Sequence, residues 1–475
     1  STQGYSSAAS DVYKRQKYIL TLFPMLEENQ NVAVVRIRRN NYMKRVMLKD
    51  IKLGEVNHVA GFVETIRNKK AMCFIVLRDI SGKLQLTIEK EKHPELSDTL
   101  DKITVDSVIE ATGLILKSEY VKLNGMEMYP DTIIIDSIAS PSPIVAPKGE
   151  ETNIDLRLDY RWIDLRTDKN TLMFKVQSYF TSKCREFLIN NDFIEIHSPK
   201  LQGAESESGA GVFKVDYFDR NAYLAQSPQF YKQMAMAAGF ERIFESGPVF
   251  RAEKFASRKH ATEFTGFDLE FSYIESYEDV MEMEENMLHY ALKACHDKYN
   301  EEVKNIFGIE IVVPTLPFPR IDLHDLYNEL EARYGYKVPE SEKGDLTTEG
   351  ERMCAKFSLE KYGHEFLFVT GYSAECRAFY HMRDEHGVPC GYDLIWKGCE
   401  ITTGAQREHR YDILCKQAKE KGLDEDVKFY LDFFKYGCPP HGGFGIGLDR
   451  ITMILFNLGI KDAMFIFRGP DRLNP

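Results

Sequence analysis

Between residues 55 and 140 the chain breaks into short runs rich in β-branched residues, at 59–65, 72–77, 84–88, 107–116 and 132–138. Turn formers separate them: Gly82, Asn124-Gly125 and Pro130. Runs this short and closely punctuated read as strands, not helices. Five strands in one open sheet would leave two unpaired edges, which closure removes. The spacing therefore predicts a small closed barrel of the OB-fold type over 55–140. Residues 141–156, proline-rich and polar, read as a linker.

From residue 157 the period changes. Met173, Val176, Phe180, Cys184 and Phe187 recur at helical spacing, and Asn190-Asn191-Asp192 ends that helix. Strands are expected at 193–197, 222–225, 243–250 and 265–271, then a helix over 277–298. Further strands are expected at 366–371, 392–396 and from Gly445 onward. Strand pairs without helical crossovers predict an antiparallel sheet flanked by helices. The class is α+β, with a C-terminal sheet domain over 157–475. A chain of 475 residues also exceeds one comfortable core.

Composition excludes several roles. No apolar run reaches the ~18 residues that span a bilayer, so no membrane association is expected. The nine cysteines are scattered singly and none forms a C-x-x-C pair, which argues against a zinc site or disulfide framework and for a reduced, cytoplasmic setting. The net charge of −12 excludes a general polyanion binder. Basic residues do cluster at 35–39 and at Lys44-Arg45, a pattern that usually marks a solvated face. Residues 1–17, small and polar, read as disordered or as a cloning remnant, ahead of an N-terminal extension over 18–54.

Two arginines sit beside tight apolar turns: Arg251 in Gly247-Pro-Val-Phe-Arg251-Ala-Glu253, and Arg450 in Gly445-Ile-Gly447-Leu-Asp449-Arg450. Arginine holds its charge and offers a fixed fork of donors suited to phosphate. There is no G-x-x-x-x-G-K-[ST] loop. Glycines 443, 445 and 447 approach a dinucleotide fingerprint, but Leu448 stands where its third glycine belongs. A polyphosphate site of another kind is expected.

These blocks together resemble the class II aminoacyl-tRNA synthetases. Leu165-Arg-Thr with its helix, strand and Pro199 is similar to motif 1. Phe250-Arg251-Ala-Glu253 through Thr262-Glu263-Phe264-Thr265-Gly-Phe-Asp268 is similar to motif 2, and Gly445 through Arg450 to motif 3. Gln226-Ser227-Pro228-Gln229-Phe-Tyr-Lys232 and Gly404-Ala405-Gln406-Arg407 resemble the aspartate-specific branch of subclass IIb. The short span between Asp268 and Asp393 leaves no room for the large extra domain of bacterial relatives, so the eukaryotic or archaeal type is implied.

The resemblance implies an enzyme that forms aspartyl-adenylate from L-aspartate and ATP and passes aspartate to tRNA-Asp. It implies that Lys232 and Arg407 hold the aspartate side chain, that Glu207 meets its ammonium from a loop of small residues, and that Gln229 and Thr403 add polar contacts. Arg251 would hold the α-phosphate and the reacting carboxylate. Glu253, Lys259, His260, Ala261 and Gly447 would contact ATP, Phe264 would stack on adenine, and Arg450 would grip the γ-phosphate. Asp393 and Glu400 would hold Mg²⁺, a hard cation suited to carboxylate and phosphate oxygens. In the barrel, Phe74 and Gln85 match positions that stack on and read anticodon bases. The family's glutamate reader on the last strand is replaced by Thr132. At 403 the usual serine is threonine. A homodimer through motif 1, a tRNA-binding role for the basic extension and membership of a larger synthetase complex are further implications. The alternatives are an asparagine-specific enzyme and an inactive RNA-binding relative. Lys232 weighs against the first, and joint retention of Arg251, Asp393, Glu400 and Arg450 against the second.

Overall fold

The computed structural model describes residues 43–144, 152–203, 211–254 and 257–475. Residues 1–17, most of the 18–54 extension and the basic cluster at 35–39 lie outside them. The chain divides after residue 140 into two compact units.

The first unit is built from β1 (Val56–Asn68), β2 (Met72–Asp79), β3 (Gly82–Glu89), β4 (Val108–Lys117) and β5 (Met126–Ser137). They close into a barrel in the order β1-β2-β3-β5-β4, the OB-type architecture expected from the spacing. Alternation along β2 sends Cys73, Ile75 and Leu77 into the barrel core and leaves Phe74 half-buried on the outside. β5 starts six residues before the expected 132, because Pro130 marks an irregularity and not a break. The β4–β5 register shifts between Thr112 and Gly113 there. A β-carbon on Gly113 would lie 2.2 Å from the Tyr129 carbonyl oxygen, so glycine lets the two strands meet beside the proline.

The second unit centres on an eight-stranded sheet ordered β12-β13-β14-β15-β16-β11-β10-β6. Its strands are β6 (Ile194–Glu195), β10 (Arg242–Phe250), β11 (Glu263–Ser272), β12 (Arg320–Asp322), β13 (Phe366–Thr370), β14 (Gly391–Trp396), β15 (Cys399–Arg407) and β16 (His441–Gly447). The six central strands are antiparallel, as expected. The edge strands β6 and β12 pair parallel to their neighbours, so the sheet is mixed. A smaller sheet joins β7 (Leu201–Gln202), β8 (Lys214–Tyr217) and β9 (Arg220–Leu224). Helices α1 (Asp168–Asn190), α2 (Gln229–Ala237), α3 (Tyr277–Phe307), α4 (Leu323–Tyr334), α5 (Thr348–Tyr362), α6 (Tyr411–Glu420), α7 (Lys428–Phe434) and α8 (Leu448–Leu455) flank it. α1 and α3 pack on one face of the large sheet and share its core with Phe267, Leu269, Phe444 and Ile446.

In the second unit three boundaries depart furthest from the sequence expectation. The strand at 193–197 shrinks to two residues at the sheet edge. The helix over 277–298 continues to Phe307, where Gly308 ends it at φ +69°. The strand placed from Gly445 onward begins at His441 and ends at Gly447, giving way to α8.

Candidate active site

The face of the sheet opposite α1 and α3 floors a deep cavity. β11 and β16 pair there with Asp268 opposite Gly445 and Glu270 opposite Gly443. Period-two alternation places both acids on the cavity face. A β-carbon at Gly443 would lie 2.4 Å from Glu270 Oε2, and one at Gly445 2.6 Å from Asp268 Oδ1. The glycine run is thus a shelf that makes room for two carboxylates.

Lys232 on α2 and Arg407 at the end of β15 converge on these acids. The Lys232 ammonium lies 3.1 Å from Asp268 Oδ1 and 3.3 Å from Glu270 Oε2. Arg407 donates from Nε to Glu270 Oε1 at 3.0 Å and from Nη2 to the Gly443 carbonyl at 2.8 Å. Lys232 is 2% exposed and Arg407 3%. Burial works to raise the Glu270 carboxyl, but Arg407 and then Lys232 outweigh it and hold it below the usual carboxylate range. Burial dominates at Asp268, whose carboxyl is pushed up. Arg407 Nη1 also meets His381 Nε2 at 3.2 Å. Burial, then the Arg407 charge, drives His381 well below the ordinary imidazole value, so it is neutral and accepts. Gln229, buried on the same wall, donates to Gln233 at 2.7 Å.

The other end of the cavity collects the nucleotide candidates. Arg251, Glu253, Lys259, His260, Ala261, Phe264, Glu400, Thr403, Gly447 and Arg450 all line it, with Gln229, Lys232 and Arg407. The Arg251 guanidinium sits over the Phe264 ring, 5.4 Å from its centroid. His260 lies 3.5 Å from Glu253 and 2.6 Å from the Ser257 hydroxyl. Arg450, in the first turn of α8, donates to the Glu400 carbonyl at 2.8 Å, and its guanidinium is 3.8 Å from the Glu400 carboxylate. Burial, then the charge of Asp393, raises the Glu400 carboxyl.

Asp393 is not on the cavity wall. It faces Thr403 across β14–β15 and accepts that hydroxyl at 2.8 Å. Arg377 grips both its oxygens, at 2.9 and 2.6 Å, and stacks on Tyr372. Among the described residues no group of three or more His, Cys, Asp or Glu forms a metal cage. The donor set is nonetheless hard oxygen: Glu400 faces the cavity, and Asp393 stands behind it with both oxygens held by Arg377 and Oδ1 also by Thr403. It suits a hard cation that takes its remaining ligands from phosphates and water.

In the barrel, Phe74, Gln85, Thr87, Glu127 and Tyr129 line one groove. Gln85 and Glu127 are paired across β3 and β5, and Gln85 donates to Glu127 at 3.2 Å. Thr87 and Tyr129 donate to it as well. Burial works to raise this carboxyl, but the hydrogen bonds outweigh it and hold it low. Thr132 is exposed, opposite Thr112 and away from the groove. The last strand does carry a glutamate in this groove, Glu127, ahead of Pro130. The strand start was misplaced at Pro130, and the register with it.

Glu207 and its neighbour Glu205 lie outside the described residues. Glu270, His381 and Arg377 carry much of the site's electrostatics but escaped the sequence reading, and Asp268 entered it only as the end of the motif 2 block, with no role. Acids at alternate positions of β11 were the available signal for Asp268 and Glu270. His381 and Arg377 lie between blocks and gave none.

Comparison with known proteins supplies the remaining observations. Residues 153–467 match the profile of tRNA synthetases class II (D, K and N), and 58–136 match the OB-fold nucleic acid binding domain. The chain is 38% identical to the aspartate–tRNA(Asp) ligase of Pyrococcus furiosus over 89% of this chain and 97% of that one. It is 39% identical to the aspartate–tRNA(Asp/Asn) ligase of Methanopyrus kandleri, over 89% and 96%. The structure resembles asparaginyl-tRNA synthetase from Pyrococcus horikoshii with asparaginyl-adenylate, at TM-score 0.83 and 30% identity, over 91% of this chain and all of that one. It also resembles a putative aspartyl-tRNA synthetase of Leishmania major, at TM-score 0.82 and 28% identity, over 98% and 100%.

Proposed function

The chain belongs to the class II tRNA synthetases of the D, K and N group, and from that premise we propose that it is an aspartate–tRNA ligase, joining L-aspartate to tRNA-Asp through an aspartyl-adenylate. One observation carries the choice of amino acid. Two fixed cations, Lys232 and Arg407, meet at the floor of the cavity whose other wall holds Arg251 and Arg450. A buried carboxylate needs such pairing to offset its desolvation. A neutral amide does not.

The aspartate side chain lies against Lys232 and Arg407, with Gln229 and Thr403 beside the substrate and Glu207 toward its ammonium. Adenine stacks at Phe264, with Glu253, His260, Ala261 and Gly447 along the nucleotide. Lys259 and Arg450 meet phosphate oxygens. The aspartate α-carboxylate, already ionised, attacks the α-phosphorus, and the bond from that phosphorus to the α,β-bridging oxygen breaks as pyrophosphate leaves with that oxygen. No general base is needed. Arg251 steadies charge on the phosphoryl oxygens as the bond forms, so rate comes from positioning and fixed donors. Glu400, backed by Asp393, is the carboxylate that would hold Mg²⁺, which supplies charge neutralisation to phosphate oxygens when bound. The oxygen of the tRNA 3′-terminal hydroxyl then bonds to the aspartyl carbonyl carbon, the carbon–oxygen bond to phosphate breaks, and AMP departs with the hydroxyl proton on its phosphate. Phe74, Gln85 and Glu127 form the platform for an unstacked anticodon base. We further propose a homodimer through the motif 1 helix α1, a cytoplasmic location and a place in a larger synthetase complex. A monomer in sedimentation at micromolar concentration would end the dimer.

ATP–pyrophosphate exchange tests the reading: aspartate supports it and asparagine does not. Exchange with asparagine alone would overturn the assignment. Charging of purified tRNA-Asp and tRNA-Asn then measures tRNA range.

A further inference from the structure

Helix α5 carries an acid that the reaction as proposed does not use. Glu351 sits in its first turn, where the Thr347 hydroxyl caps the helix by accepting from the Gly350 N–H. Its side chain is 9% exposed. Both its oxygens accept from the Lys259 ammonium, each at 2.8 Å. Oε2 also accepts the backbone N–H of Glu400 at 3.2 Å. The Lys397-Gly398 turn between β14 and β15 lies against the same helical turn. A β-carbon on Gly398 would stand 3.0 Å from Arg352 Cα and 3.1 Å from the Glu351 carbonyl oxygen, and its φ is +77°. Only glycine permits that approach. One carboxylate therefore joins the β10–β11 loop, the head of β15 and α5. Lys259 and Glu400 line the cavity, and Glu351 does not. An ammonium has three N–H bonds. Both Glu351 oxygens lie on one side of it, which leaves N–H donors for a ligand on the cavity side.

We propose that Glu351 is a positioning residue for the nucleotide: it holds the Lys259 ammonium at the cavity wall for a phosphate oxygen and keys β15 at Glu400. The proposal rests on reading Lys259 as an ATP contact. A lysine already held loses less side-chain freedom on binding than a swinging one. The opposite reading, in which Glu351 competes with ATP for Lys259, predicts the opposite sign.

The test uses Glu351→Gln in the full chain, a variant that keeps size and still accepts the Glu400 N–H. ATP affinity by calorimetry and ATP KM in exchange should both weaken about tenfold, the scale of one charge-assisted hydrogen bond. The kcat and the aspartate KM should stay within about twofold. In a Lys259→Met background the same change should cost nothing further. Glu351→Asp should recover part of the affinity, which a folding defect would not. Unchanged or tighter ATP binding in Glu351→Gln, or an equal loss in both backgrounds, overturns the proposal. Failure of aspartate to support exchange sinks the functional reading instead and leaves the calorimetric comparison intact.

Discussion

At the scale of single residues, the cavity floor is defined by what Glu270 cannot do alone. A fully buried carboxylate is tolerable because Arg407 and Lys232 approach it from two elements. Removing Arg407 strips the substrate of a fork and leaves Glu270 short of a partner. Arg407→Leu should therefore lower aspartate exchange by about 3 kcal/mol, more than a hundredfold, with ATP binding retained. Arg407→Lys keeps a charge but not the fork, and should raise the aspartate KM with less damage to the fold. Unchanged aspartate KM in both variants removes Arg407 from the site. Arg377 makes a parallel point. It already occupies Asp393, so the two carboxylates expected to share a metal are not equivalent: one faces the cavity and the other is held behind it.

At the scale of elements, α3 presses an ionisable group into the underside of the sheet. Glu284 on α3 accepts from the Tyr392 hydroxyl of β14 at 2.7 Å. Burial pushes this carboxyl up to about 8. A raised folded-state value means the folded protein binds the extra proton, so the stability it contributes is full below about pH 4.5 and is lost as pH rises through 8. Glu284→Gln mimics the protonated form. It should match the parent near pH 5 and unfold at higher denaturant above pH 8, by on the order of a few kcal/mol. Parallel stability curves across that range would show that Glu284 is not protonated in the fold.

Elements also show how much could be read without coordinates. The barrel strands and β11 were legible by alternation of apolar with polar residues, and β13 and β14 as short apolar runs, both strong local signals. β15 was not. Its sequence from Cys399 to Arg407 holds Glu400, two threonines, Gly404 and Gln406, because one of its faces is the cavity wall. A strand built for a site sheds the apolar pattern that identifies strands. α2 and α4 through α7 also passed unassigned. The site's arginines were visible by their neighbours, whereas their buried counter-ions Asp268 and Glu270 were visible only by register.

At the scale of the whole molecule, two units divide recognition from chemistry. The barrel groove has its own core and hydrogen bonds, independent of the large sheet. Phe74→Ala should therefore slow tRNA charging about 5- to 150-fold, by about 1–3 kcal/mol for one lost base stack, while exchange stays at the parental rate. Equal loss in both assays would place Phe74 in folding instead. The net charge of −12 fits RNA recognition by a local groove better than by the surface at large.

The strand order carries one more consequence. β16 lies between β15 and β11, although it is the last strand to be made. A growing chain on the ribosome therefore carries two half-sheets with raw borders, one ending at β11 and the other at β15, until residues 441–447 emerge and stitch them together. Until then Asp268 and Glu270 have no glycine ledge opposite them. Translation arrested before residue 441 should yield a fragment with two open sheet borders and not a feeble enzyme, and chaperone shielding should matter most until those residues emerge.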